Sequence, residues 1–331
     1  MNIQLLLMKL KKRTPNKFYS YASKIVAPSK DIMYAETRKT FGDKNKDIEI
    51  FIIRRRPPGA GLFSNINYVL QGIIFAEKNN MIPVVDMKKY PVEYSRFLPY
   101  NNSRNAWEYF FKPISNITLK EAYKSKNVIL SDGNRIINEP SFSGRRVDFI
   151  SNARILKEFS SVYNNHIKLN DNTSKYIDYI LDVQKIDINS TLGVFFRSGK
   201  DMQNAPGHPV QPKIEFIIEE IKDYLSSHNI KKIILSTADE KNRKILQNVF
   251  GTIICENFRL DLKSNFAKET NAIFQIPKGQ LLRNISYLSE VYILAKLKYN
   301  IASLANGSVG IYLINNGMFE RNTIYYKGVQ N

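Results

Sequence analysis

The chain has 331 residues, 43% of them hydrophobic and 24% charged, and a formal charge of +19 from 49 Lys and Arg against 30 Asp and Glu. That length favours two domains, and that apolar fraction excludes a disordered chain. The charge selects for an anionic partner: a phosphorylated substrate, an anionic surface or a nucleic acid.

The first 30 residues hold Lys9, Lys11, Lys12, Arg13, Lys17, Lys24 and Lys30 and no acid, with Ile3, Leu5, Leu6, Leu7 and Leu10 among them. This pattern suits either a basic amphipathic helix lying on an anionic leaflet or a solvated tail. The start lacks a cleavage site, and no apolar run approaches the roughly 18 residues of a spanning helix. The expected location is therefore cytoplasmic, with residues 1–30 offering peripheral contact to the membrane's inner face. No RNP aromatics, zinc-finger spacing or helix-turn-helix pattern supports nucleic acid as the partner.

Residues 31–47 are polar. "IEIFIIRR" (48–55) reads as a strand, broken by Pro57, Pro58, Gly59 and Gly61. Ile66, Val69, Leu70, Ile73 and Ile74 follow at helical spacing, with Ser64 or Asn65 as the cap. "MIPVVDM" (81–87) is a second short strand, and "NVILSDG" (127–133) a third. The aromatic segment between them contains Trp107, suited to core packing or to lining a sugar cleft.

The second half alternates more regularly. Strands are predicted over 191–196, 231–237, 252–255 and 299–303, and helices over 212–228, 239–251, 280–297 and from 306. Such alternation predicts parallel sheets with helices on their faces. The expected division is an N-terminal extension (1–47), a first Rossmann-like domain (48–188) and a second (189–331).

Ligands of open parallel sheets bind outside the carboxyl ends of the strands. Three predicted strands of the second half end there in polar groups. One ends at Arg197, the next at Thr237 and Asp239, and the last at Ser303, followed by Asn306, Gly307 and Ser308. An arginine fork suits phosphate oxygens, and a small-residue turn into a helix offers N–H donors to a diphosphate. The Asp239 carboxylate suits the ring N–H and amino group of guanine. Each also has a plainer role: Arg197 in a surface ion pair, Asp239 as a helix cap, "ANGSVG" as a tight turn. The earlier "GAGLFSN" is neither a Walker loop nor a full dinucleotide fingerprint, because Ser64 stands where the third glycine belongs.

"GAGLFSNINYVLQGIIFAEKNNMIPVVD", "LGVFFRSGKD", "NAPGHPVQP", "LSTADE" and "ASLANGSVG" resemble, in order and spacing, the GDP-fucose-dependent fucosyltransferases. These include the α-1,6-, protein O- and nodulation fucosyltransferases, and the resemblance spans residues 50–315. It implies a GT-B arrangement of two Rossmann-like domains and an inverting transfer without metal. A nucleotide sugar would be the donor substrate, with no further cofactor, and a glycan or lipid-linked glycan the acceptor, as in bacterial surface-polysaccharide or lipopolysaccharide synthesis. Carried over, Arg197 holds the β-phosphate, Asp239 reads guanine beside Thr237, and Ser303, Asn306, Gly307 and Ser308 form the phosphate loop. Asn65 faces the donor from the first domain.

The chain departs from the family at Phe195, where a histidine is usual, and at Ser198, where a second arginine is usual. The base-like glutamate of the α-1,6 group has no counterpart, which leaves Asp201 and His208 as candidate general bases. His208 beside Pro209 is equally a fixed loop residue. The scattered His166, His208 and His228 and the lone Cys255 suggest no metal site. Two alternatives stand: another nucleotide-sugar donor on the same scaffold, and a non-catalytic polyanion- or anionic-lipid-binding α/β protein.

Overall fold

The computed structural model describes residues 35–133, 151–198, 207–255 and 264–330. They divide into two compact units, one of residues 35–133 and 164–171, the other of residues 151–163 and 172–330. The basic segment 1–30 and Asp201 lie outside the described residues. No helix among the described residues is long and apolar enough to cross a membrane.

The first unit is built on strands β1 (Thr37–Lys39), β2 (Ile50–Ile53), β3 (Ile82–Val85) and β4 (Val128–Leu130), with helices α1 (Leu62–Lys78) and α2 (Leu119–Ala122). The strand order is β1-β4-β2-β3. β2 pairs in parallel with β3 and β4, and β1 closes one edge antiparallel to β4. β2 is apolar at all four positions because both its faces are covered, as parallel sheets require. Ile50, Ile52, Val84, Val128 and Leu130 form the core on one face. The amphipathic α1 covers the sheet with a largely buried surface that includes Ile66, Val69, Leu70 and Ile73.

The second unit carries β5 (Thr191–Phe195), β6 (Lys232–Ser236), β7 (Tyr299–Ser303) and β8 (Arg321–Tyr325), all parallel, in the order β6-β5-β7-β8. Its helices are α3 (Ala153–His166), α4 (Asp171–Val183), α5 (Ile214–Ser227), α6 (Glu240–Phe250), α7 (Asn265–Phe274), α8 (Gln280–Lys296) and α9 (Asn306–Asn315). Leu192, Val194, Ile233, Leu235 and Ile301 meet Ile217, Ile221 and Tyr224 of α5 in one core. This is the α/β class with mainly parallel sheets that the alternation predicts.

Three local expectations are corrected. The compact division falls well before residue 189, because α4 and most of α3 pack with the second unit. The Tyr163 and Tyr292 hydroxyls lie 3.0 Å apart, and Tyr176 meets Phe274 edge-on at 5.2 Å. "TIIC" is not a strand: it starts within a 3-10 turn (Gly251–Ile253) and meets β6 through a single Ile233–Ile254 bridge and apolar packing. Helix α1 starts at Leu62 without a side-chain cap, so neither Ser64 nor Asn65 caps it.

Candidate functional site

In the second sheet β5 lies between β6 and β7, and the chain leaves β5 toward β6 but leaves β7 toward β8, so the connections after β5 and β7 diverge to opposite sides. The crevice between β5 and β7 is a topological switch point, where open α/β sheets place their ligands. Arg197 leaves β5 at this edge, half-buried. Its backbone N–H donates to Oγ of the buried Ser303 at the end of β7, at 2.9 Å. Among the described residues its guanidinium has no hydrogen-bond or ion-pair partner.

Helix α9 begins in the same crevice. Ala305 is its N-cap and supplies no side-chain acceptor, so no capping side chain takes the first N–H groups of the helix, whose dipole favours an anion there. Ser308 is differently used. Its buried hydroxyl accepts from the Ala305 N–H at 2.8 Å and donates to the Ala305 carbonyl at 2.9 Å, leaving only its backbone for a ligand. Gly307 is demanded by packing: a Cβ there would sit 2.6 Å from the Phe195 ring and against the Tyr287 hydroxyl. Phe195, at the position usual for a histidine, is thus part of the floor beneath the helix start.

Thr237 is buried after β6, and its hydroxyl accepts from the Asp239 N–H at 3.2 Å. Asp239 caps α6: Oδ1 accepts from Lys241 N–H at 3.0 Å and Asn242 N–H at 3.3 Å. Oδ2 accepts from Asn242 Nδ2 at 3.2 Å, and the same amide donates to Ser198 Oγ at 2.6 Å. Asn242, not singled out in the sequence, therefore ties the Asp239 cap to the residue next to Arg197. Behind this edge the buried Glu290 of α8 accepts from Ser236 Oγ at 2.6 Å. Neither carries a local sequence signal, since each acts across more than 40 positions of chain.

His208 precedes α5 in the chain. Its segment runs beside the C-terminal residues: Gly207 N–H donates to Gln330, Val210 N–H to Gly328, and the His208 carbonyl accepts from Gln330 N–H. Gln211 links this segment to the β7 loop through the Leu304 carbonyl at 3.2 Å.

In the first unit, Asn65 is buried and fully engaged. Its Oδ1 accepts from Arg55 Nη1 at 2.9 Å and from Ala60 N–H at 3.2 Å, and its Nδ2 donates to the Ala60 carbonyl at 2.7 Å. It pins the glycine loop rather than presenting a free amide. Gly59 takes φ +69°, and a Cβ there would also sit 2.9 Å from Asn65 Oδ1. The cation at this loop is Arg55, which also reaches the Ser64 carbonyl at 3.0 Å and lies over the Tyr68 ring at 4.9 Å. Burial lowers its pKa. Three successive arginines after a strand do not reveal which one meets the glycine loop: Arg54 is the buried one and bonds Ser131 and Ala35, while Arg55 reaches Asn65. Among the described residues no His, Cys, Asp and Glu cluster suits a metal ion.

Neither a family profile nor a curated protein matches the sequence. Solved structures do. POFUT1 in complex with GDP-fucose aligns at a TM-score of 0.50 and 9% identity, covering 85% of this chain and 99% of that one. NodZ α-1,6-fucosyltransferase soaked with GDP-fucose gives 0.47 and 15%, over 81% and 93%. FUT1 of Arabidopsis thaliana in complex with GDP gives 0.47 and 10%, over 90% and 76%. At these identities the likeness is one of fold, and the POFUT1 alignment supports the GT-B-like class.

Proposed function

We propose that the chain is a glycosyltransferase, and specifically an inverting, metal-independent fucosyltransferase using GDP-fucose. The observation that carries this reading is Arg197 at the β5–β7 switch point, its guanidinium without a partner among the described residues, beside the N-terminus of α9, which no side chain caps from Ala305. A diphosphate fits that pairing of a planar cation with backbone donors. The fold shared with POFUT1, solved with GDP-fucose, supports the donor's identity.

In the proposed reaction an acceptor hydroxyl oxygen bonds to the sugar's anomeric carbon as the bond to the β-phosphate oxygen breaks. GDP leaves with both electrons of that bond, and the hydroxyl proton passes to a base. Arg197 and the α9 N–H groups offset the charge growing on the diphosphate. Asp201 and His208 remain the proposed bases. The proposed acceptor is a glycan precursor of surface polysaccharide, met at the cytoplasmic membrane face through residues 1–30.

A second donor reading rests on one observation. The Asp239 carboxylate already accepts three hydrogen bonds as a cap, which leaves it fewer lone pairs for guanine. The same scaffold with another nucleotide sugar follows if the base is read elsewhere.

Incubation with GDP-fucose and a panel of labelled oligosaccharides tests the reading by mass. Addition of one deoxyhexose, lost in Arg197→Ala, is expected. Undiminished transfer by Arg197→Ala, or transfer only from a different nucleotide sugar, overturns it.

A further inference from the structure

The first unit contains a cleft of about 760 Å³, within the size range of small-ligand sites and lined entirely by residues of that unit. It opens beside β3, the edge strand of the sheet, whose outer side is partly covered by Ser115 donating to the Pro83 carbonyl at 2.7 Å. The floor is apolar, from Val84, Val85, Ile114 and Leu119. Trp107 stands at its base, held by stacking on Phe111 at 4.5 Å and by Nε1–H donating to the Lys112 carbonyl.

Two kinds of polar group converge on this floor. Glu108 is the only acid in the lining, and it is fixed: Ser103 Oγ donates to one carboxylate oxygen at 2.6 Å and Asn105 Nδ2 to the other at 3.0 Å. Asn105 is itself locked by donating to the Val85 carbonyl and accepting from the Met87 N–H. Glu108 therefore presents preoriented acceptor lone pairs to a hydroxyl. Around it the lining carries five cations, Lys88, Lys89, Arg104, Lys120 and Lys124. Lys89 is placed by the Tyr123 ring, 3.2 Å from its centroid. Arg104, Lys120 and Lys124 are exposed, and their side chains have no hydrogen-bond or ion-pair partner among the described residues. Charges of one sign around a concave, low-dielectric floor focus their field into it.

We infer that this cleft binds a saccharide bearing a negative charge. The hydroxyls suit Glu108 and its amide and hydroxyl neighbours, the sugar's apolar faces suit the floor, and the anionic group suits the cationic rim. On the proposed function, which this inference deepens, the anionic sugar belongs to the acceptor, and the charge comes from a uronic-acid carboxylate or from a sugar phosphate.

Calorimetric titration of the full chain separates these sources and tests the site. The probes are trigalacturonate against maltotriose, and N-acetylglucosamine 1-phosphate against N-acetylglucosamine. At least one charged probe is expected to bind tenfold or more tighter than its neutral counterpart, with the carboxylate or phosphate pair showing which. That margin should vanish in Arg104→Ser/Lys120→Ser/Lys124→Ser. It should persist in a control, Lys39→Ser/Lys46→Ser/Lys126→Ser, which removes equal charge from other exposed positions of the unit. Equal binding of charged and neutral probes, binding of neither, or an equal loss in both triple variants overturns the inference. GDP titrated into the same samples reports on the donor site separately. A rim variant that keeps GDP affinity while losing the charged sugar isolates this cleft, and loss of GDP binding by the unmodified chain indicts the transferase reading alone.

Discussion

The Arg197 N–H donates to Ser303 Oγ at 2.9 Å, joining the ends of β5 and β7 at the point where the second sheet's connections diverge. Ser303 thereby fixes the backbone from which the guanidinium projects. Replacing Ser303 by alanine leaves that N–H without its acceptor. The expected cost is about 1 kcal/mol of stability by urea denaturation, with a several-fold loss of GDP affinity.

Among the described residues the Arg197 side chain has no hydrogen-bond or ion-pair partner. Arg197→Ala is expected to change stability by less than about 0.5 kcal/mol, as for other surface changes away from networks. GDP should bind about 10- to 100-fold more weakly, the loss of one charge-assisted contact of about 1.5–3 kcal/mol. A denaturation curve and a GDP titration on one preparation check both halves.

Asp239 can be divided into its two candidate roles. Asparagine caps a helix as well as aspartate, whereas alanine costs about 1 kcal/mol. Asp239→Asn should keep the stability of α6 (Glu240–Phe250) while Asp239→Ala lowers it. If the carboxylate also reads guanine, Asp239→Asn loses preference for GDP over UDP. Retained preference in that variant assigns Asp239 to capping alone.

Gly307→Ala tests the floor of the donor crevice. The added methyl would meet the Phe195 ring at 2.6 Å and the Tyr287 hydroxyl, an overpacking that costs about 1–3 kcal/mol. The melting temperature should fall, and nucleotide affinity should fall with it, because the start of α9 must move.

Cys255 is half-buried after the 3-10 turn, and burial raises its thiol pKa above the ordinary value. The thiolate is the reactive form, so alkylation by iodoacetamide at pH 8 should be slower than for free cysteine. Its rate should still be climbing with pH where that of free cysteine has levelled off.

The second sheet was legible because parallel strands buried on both faces read as apolar runs, as in LGVF of β5 and IIL of β6, while YNIAS of β7 was placed by its position in the alternation of strands and helices. β1 and β8 were not legible, since "TRK" and "RNTIY" have polar, partly exposed faces that carry no such signal. Arg197, Ser303 and the α9 start were found by locating strand ends, and the structure brings them into one crevice. Asn65 shows the limit of that approach. An asparagine at a helix start reads equally as a ligand contact or a loop clamp, and only the positions of Arg55 and Ala60 reveal the clamp. Asn242 and Glu290 were invisible because their partners are distant in sequence.

The central claim is that the β5–β7 crevice receives a guanosine diphosphate. Thermal unfolding of the purified chain with GDP, UDP, CMP or dTDP, each with a chelator present, addresses it directly. At about a hundred times its dissociation constant GDP should add about 2.7 kcal/mol, while the other nucleotides add much less at equal concentration. A shift produced by UDP, CMP or dTDP but not GDP, or by none of the four, would contradict the account.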